Sequence, residues 1–298
     1  MTTPTAPLTA TALHTPARAR ATEWQGLPAI HLQLPCGDTA LVALQGAQLL
    51  SWTVQGQEQL FLSPLAAHDG HTPIRGGIPV CWPQFNQRGP LVKHGFARTM
   101  AWQADAAQAE RLPDDGLLLR LKLTDSPATL AVWPHAFEAC VEIRMHPGSI
   151  RVQLGVHNRG AAALSFTAAL HTYLRVADIS ASGLHGLDGL RYWDAVADTH
   201  PLQRGMVTFG AELDRVYPRA ASSLQLEQPG HGALRISQDQ AWTETVVWNP
   251  GAQLCARLAD MPADGWRQML CVEAAAIDTP VCLAPGARWQ AAQHLQRI

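Results

Sequence analysis

Residues 137–156 read FEACVEIRMHPGSIRVQLGV, and this stretch decides the fold. Apolar and polar positions alternate from Val141 to Met145 and again from Ile150 through Leu154 to Val156. That is the period of a strand with one face buried. Phe137 and Glu138 enter the first run with what reads as one extra residue, the mark of a β-bulge. His146-Pro147-Gly148 between the runs is a turn, so the two strands form an antiparallel hairpin. Outward from it, residues 119–123 (LRLKL) alternate strictly. Further turns are expected at Pro113-Asp114-Asp115-Gly116, Asn158-Arg159-Gly160 and Asn249-Pro250-Gly251. Helical periodicity is weak, with short helical turns expected only at residues 61–67 and 188–192. The reading is one all-β domain over residues 24–298, sandwich or barrel, behind a flexible N-terminal segment of residues 1–23.

Composition agrees and sets limits. Of 298 residues, 47% are hydrophobic and 15% charged, so the chain has ample material for a large core and is not globally disordered. A net charge of -2 leaves no electrostatic footprint for nucleic acid or an anionic membrane. Six scattered cysteines form no CxxC pair and no close Cys/His cluster, which argues against a structural zinc site and for small buried hydrophobes. Neither a signal peptide nor a long apolar span is evident, so a cytoplasmic protein is expected. No amphipathic helix announces a partner, and a monomer is expected.

Residues 75–98, RGGIPVCWPQFNQRGPLVKHGFAR, are unlike the rest of the chain. Four Gly and three Pro impose a stiff, irregular path. Arg75, Arg88, Lys93 and Arg98 stud it with positive charge, and an arginine grips a phosphate or carboxylate with two parallel hydrogen bonds. The alternative is a surface loop whose cations face water. Two further positions carry chemistry. His171 lies in the apolar run ALHTYL, where burial favours the neutral imidazole, unless it is only a satisfied core histidine. Glu273 lies in MLCVEA, where an unpaired carboxylate is costly, unless it turns to solvent at a strand end. Together they offer an acid and a base in a dry sheet.

These residues resemble a known family. RGGIPVCWPQF at 75–85 and HGFAR at 94–98 are similar to the hexose-6-phosphate mutarotase (glucose-6-phosphate 1-epimerase) branch of the aldose 1-epimerase, galactose mutarotase-like family. GAQLLSW at 46–52, WPH at 133–135, LHTY at 170–173, DRVY at 214–217, VVWNP at 246–250 and CVE at 271–273 continue the likeness in order. The resemblance implies a large antiparallel β-supersandwich and interconversion of the α and β anomers of a hexose 6-phosphate, with D-glucose 6-phosphate foremost. It implies His171 as the acid that protonates the ring oxygen and Glu273 as the base that takes the anomeric hydroxyl proton. Asp214 and His94 would meet sugar hydroxyls, and Arg75 and Arg98 the phosphate. Lys93 stands where relatives often carry Gln, so it is either a further phosphate contact or a solvent-facing residue. After Glu273 the chain reads Ala274-Ala275 where relatives commonly have Pro-Gly. No cofactor or metal is implied, because neither electrons nor groups are transferred. A carbohydrate-binding module without activity, or a mutarotase for unphosphorylated aldoses, is the alternative on the same fold.

Overall fold

A computed structural model describes residues 16–104, 109–218, 223–230 and 232–298. Three antiparallel sheets account for the described strands. A five-stranded meander runs through Arg18–Trp24, Leu27–Gln33, Thr39–Ala43, Gln48–Val54 and Gln57–Glu58. A nine-stranded sheet has at its centre the hairpin that decides the fold, Phe137–His146 against Ser149–Asn158, with His146 opposite Ser149 at the turn. Leu117–Thr124 and Arg288–Arg297 flank that hairpin. The third sheet, of seven strands, includes in spatial order Leu213–Pro218, Glu244–Asn249, Met269–Leu283 and Leu164–Leu170. No helix among the described residues is long and apolar enough to cross a membrane.

Several local expectations are corrected. Phe137–His146 has no bulge: Ala139 belongs to the buried face, so Phe137, Ala139, Val141, Ile143 and Met145 alternate without interruption. Residues 61–67 and 188–192 contain turns and no helix. The short α-helices are Pro127–Val132, opened by a Ser126–Thr129 capping box, and Gly251–Cys255. The expected flexible segment, residues 1–23, overlaps Arg18–Trp24, which pairs with Leu27–Gln33 along its whole length. Residues 1–15 lie outside the described residues.

Met269–Leu283 explains where a site can form. Its first nine residues are buried, because both faces of the strand are covered. Leu270, Val272, Ala274 and Ala276 enter the main core between the sheets. Their neighbours Cys271, Glu273, Ala275 and Ile277 point to the opposite face, beneath loops. The same alternation puts Leu213, Tyr217 and Val247 in the core, and Asp214, Val216, Val246 and Trp248 on the Glu273 face. Register then aligns the side chains in rows. Asp214 pairs with Trp248, Trp248 with Cys271, and Cys271 with Tyr173. Val216, Val246 and Glu273 form the next row.

Residues 75–98 cross this face. Gly77 has φ +62°, and a Cβ there would stand 2.2 Å from the Leu49 carbonyl oxygen, so no other residue fits without displacing backbone. Trp82 anchors the segment from below. It is fully buried and meets Phe137, Trp133, Phe96 and Phe166 edge-on, with ring centroids 4.7, 5.1, 5.7 and 6.1 Å away.

Candidate active site

On the face opposite the main core lies a cavity of about 240 Å³, lined among others by Arg75, Lys93, His94, His171, Asp214 and Glu273. Six of the seven residues expected at the site therefore converge, from positions as far apart in sequence as Arg75 and Glu273.

His171 Nε2 stands 3.3 Å from Glu273 Oε1. The His171 backbone N–H donates to the Pro79 carbonyl, which ties the histidine to the glycine-rich segment. Its ring stacks on Tyr173 at 4.9 Å and meets the edges of His94 and Trp248. Glu273 is 1% exposed, and its Oε2 is buried without a hydrogen-bond partner. Burial, reinforced by the negative charge of Asp214, holds the Glu273 carboxyl well above the usual glutamate range. Burial also drives His171 well below the usual imidazole range, with His94, Arg75 and Arg98 adding to the effect. Both shifts favour the uncharged pair, with the proton on the Glu273 carboxyl and the His171 imidazole neutral. Passage of that proton from Glu273 to His171 across their 3.3 Å contact gives the imidazolium–carboxylate form, in which the histidine can act as acid and the glutamate as base.

His94 closes one side. Its φ of +66° is unusual for a residue with a side chain, and it is fixed by a reciprocal contact with Asn86. The His94 N–H donates to the Asn86 carbonyl at 2.9 Å, and the Asn86 N–H donates to His94 Nδ1 at 3.2 Å. Because Nδ1 accepts, the ring proton of the neutral imidazole is on Nε2. Burial, with the charges of Arg98, Lys93 and Arg75, lowers the His94 pKa to about 3, so the ring is a neutral donor at working pH. Asp214 is held up at about 6, by burial first and by Glu212 beside it, while Lys93 pulls the other way.

The arginines divide differently from expectation. Arg75 lines the cavity, but its guanidinium grips Asp260 with two bonds, Nε to Oδ2 at 3.0 Å and Nη2 to Oδ1 at 3.1 Å. Its Nη1 donates to the Tyr173 hydroxyl at 3.0 Å. Arg75 therefore orients the Tyr173 ring on which His171 stacks, and Asp260 balances most of its charge. Arg98 does not line the cavity. Its Nη2 donates to the Lys93 carbonyl at 2.7 Å, so it holds the turn that carries Lys93 and His94. Lys93 is exposed at the rim and has no ion-pair partner among the described residues. Arg88 joins the lining, stacked over Trp193 at 5.2 Å and paired with Asp278 at 2.7 Å.

Sequence reasoning named Arg88 only as one cation of residues 75–98 and gave no role to Trp193, Glu212, Trp248 or Asp260. Trp248 was within reach, since it sits in VVWNP. There the Asn249 amide donates to the carbonyls of Trp266 and Met269 and pins the strand end that aims the indole. Asp260 carries no local signal, because its partner lies 185 residues away. The Gln84 amide is another omission. It donates to the carbonyls of Asn86 and Leu91 and accepts from the Leu91 N–H, which fixes the loop bearing Arg88 and Lys93.

Comparison with known proteins identifies the family. The aldose 1-epimerase family profile matches residues 28–296, nearly the whole chain. This protein belongs to the aldose 1-epimerase family. An Escherichia coli K12 protein is 36% identical over 242 residues, 79% of each chain, and one from the grass Cenchrus ciliaris is 32% identical over 259 residues, 84% of this chain and 79% of the relative. Both bear the name "Putative glucose-6-phosphate 1-epimerase". A crystal structure from Salmonella typhimurium, described as that of a "putative mutarotase", superposes with a TM-score of 0.85 at 29% identity and covers 95% of both chains. A galactose mutarotase-like protein from Clostridium acetobutylicum shares the fold, with a TM-score of 0.74 at 11% identity over 94% of this chain and 98% of that one. The expected galactose mutarotase-like architecture of antiparallel sheets is thereby established.

Proposed function

We propose that this family member interconverts the α and β anomers of a hexose 6-phosphate, with D-glucose 6-phosphate as the foremost substrate. The observation that carries the reading is the buried His171–Glu273 pair at the end of a cavity whose rim is cationic. In the free enzyme the pair's single proton rests on Glu273, and it passes to His171 across their contact as the polar sugar enters, leaving Glu273 as carboxylate. When a pyranose enters, His171 protonates the ring oxygen as Glu273 takes the anomeric hydroxyl proton, and the C1–O5 bond opens to the aldehyde. Rotation about C1–C2 and reclosure on the other face return both protons and give the other anomer. No electron or group is transferred, so the reading needs no cofactor. Asp214 accepts from a sugar hydroxyl and His94 Nε2–H donates to one, which fixes the ring against the pair.

The phosphate assignment shifts within the original set of cations. With Arg75 committed to Asp260 and Arg98 to a backbone carbonyl, Lys93 is the cation best placed for the 6-phosphate. Arg88 assists, because its exposed pair with Asp278 is weak enough to be exchanged for a dianion. The names of the bacterial and plant relatives support the phosphorylated substrate. Lys93→Ala should raise KM for glucose 6-phosphate by about tenfold or more, the worth of one charge-assisted hydrogen bond, while kcat stays within about threefold. Steady-state rates across substrate concentration check this. An unchanged KM in both Lys93→Ala and Lys93→Ala/Arg88→Ala would remove the phosphate from this rim.

A further inference from the structure

One buried group beside the acid/base pair has no part in that chemistry. Cys271 precedes Glu273 by two residues on Met269–Leu283, so the two side chains leave the same face of the sheet. One ligand atom from each of His171, Cys271 and Glu273 lies within 4.8 Å of the other two. The thiol is fully buried and makes no hydrogen bond among the described residues, and Glu273 Oε2 is buried and unpartnered beside it. No spacing in the sequence marks this cluster; the fold assembles it by bringing residue 171 to the strand that carries 271 and 273.

An imidazole nitrogen, a sulfur and a carboxylate oxygen form the mixed donor set of borderline-soft divalent ions. Zinc is bound in this way by three protein ligands with a fourth position left for water. Magnesium and calcium, which require oxygen ligands, do not fit it. We propose that His171, Cys271 and Glu273 form a binding site for Zn²⁺ and ions of its class, and that occupancy switches off anomer exchange by removing the acid and the base together. Zinc–ligand bonds of about 2.0–2.3 Å require the most distant donors to close by roughly 1 Å. The six-coordinate aqua ion gives up five waters, the Cys271 thiol and the proton held by the pair pass two protons to solvent, and the one remaining water completes the four-coordinate shell at the cavity side. The nearby Asp214 carboxylate favours the incoming charge, while Asp260 balances that of Arg75. Binding follows from the donor set alone. Inhibition also rests on the proposed roles of His171 and Glu273.

Co²⁺ tests the site, because cobalt bound to a thiolate absorbs in the near ultraviolet by charge transfer. Chelator-treated wild-type protein should develop this band with one equivalent of Co²⁺. The band should persist in Cys36→Ser/Cys282→Ser, which lacks both exposed cysteines, and vanish in Cys271→Ser. Zn²⁺ should inhibit anomer exchange with a single-site curve that a chelator reverses, and Cys271→Ser should need at least about tenfold more zinc for half-inhibition relative to its own metal-free rate. Should Cys271→Ser fail to fold, wild-type protein still decides: saturating glucose 6-phosphate should suppress the cobalt band. Absence of the band from wild type, or its survival in Cys271→Ser, overturns the site. A normal band without inhibition overturns the switch and counts against the acid/base roles while the site stands.

Discussion

Glu273→Gln is expected to lower the rate of anomer exchange by about 10³-fold, within the range of 10² to 10⁴ contributed by one general acid or base. The amide fills the same volume but cannot take the anomeric proton. His171→Asn should fall comparably, and the double variant should be little worse than either single one, because a base without its acid is already idle. Binding of the sugar phosphate should survive within a few-fold, since Lys93, His94 and Asp214 are untouched. Stability should not suffer. Burial holds the Glu273 carboxyl well above 4.5, so the folded protein keeps a proton that the unfolded chain releases. Native stability therefore declines as pH rises from about 4.5 toward the raised folded value, and Glu273→Gln should flatten that decline. Thermal melts at several pH values check the second part and exchange rates the first. Activity within tenfold of wild type would remove Glu273 from the chemistry.

Trp82→Ala is expected to be the most damaging single truncation under the site, at about 3–5 kcal/mol. The indole is surrounded by four aromatic rings, and its N–H is buried without a partner, so the loss is of packing and not of a hydrogen bond. In a chain of this size that corresponds to a fall in Tm of roughly 5–8 °C. Activity should fall with it, because the Trp82 carbonyl also accepts from Ala97 N–H in the HGFAR turn. A calorimetric shift below about 3 °C would mean that the cluster repacks around the void.

Much of the fold was legible because half-exposed strands print their period directly, as in 119–123 and 137–156. The edge strand Arg18–Trp24 was not. Its residues RARATEW bury little surface, so hydropathy gives no stripe to read. Met269–Leu283 and Leu164–Leu170 posed the opposite difficulty. Strands covered on both faces read as continuous apolar runs, and period alone cannot say that His171 and Glu273 turn away from the core toward each other. Their pairing was legible through the likeness of LHTY and CVE to a known family. The division of labour among the cations was legible in neither way. Arg75 is claimed by Asp260, Arg98 by the Lys93 carbonyl and Arg88 in part by Asp278, and the first and last of these partners are set by contacts across 185 and 190 residues. Lys93, whose role the sequence left open, is the rim cation without an ion-pair carboxylate among the described residues.

Saturation transfer between the α and β anomeric proton signals of D-glucose 6-phosphate reads anomer exchange directly, with D-glucose in a parallel sample and both spontaneous rates subtracted. Acceleration of the phosphate ester is expected at enzyme concentrations that leave glucose unchanged. Acceleration of glucose alone would keep the chemistry of the pair and contradict the role of the cationic rim. Acceleration of neither, with sugar phosphate still bound, would contradict the account and leave a binding protein on a mutarotase fold.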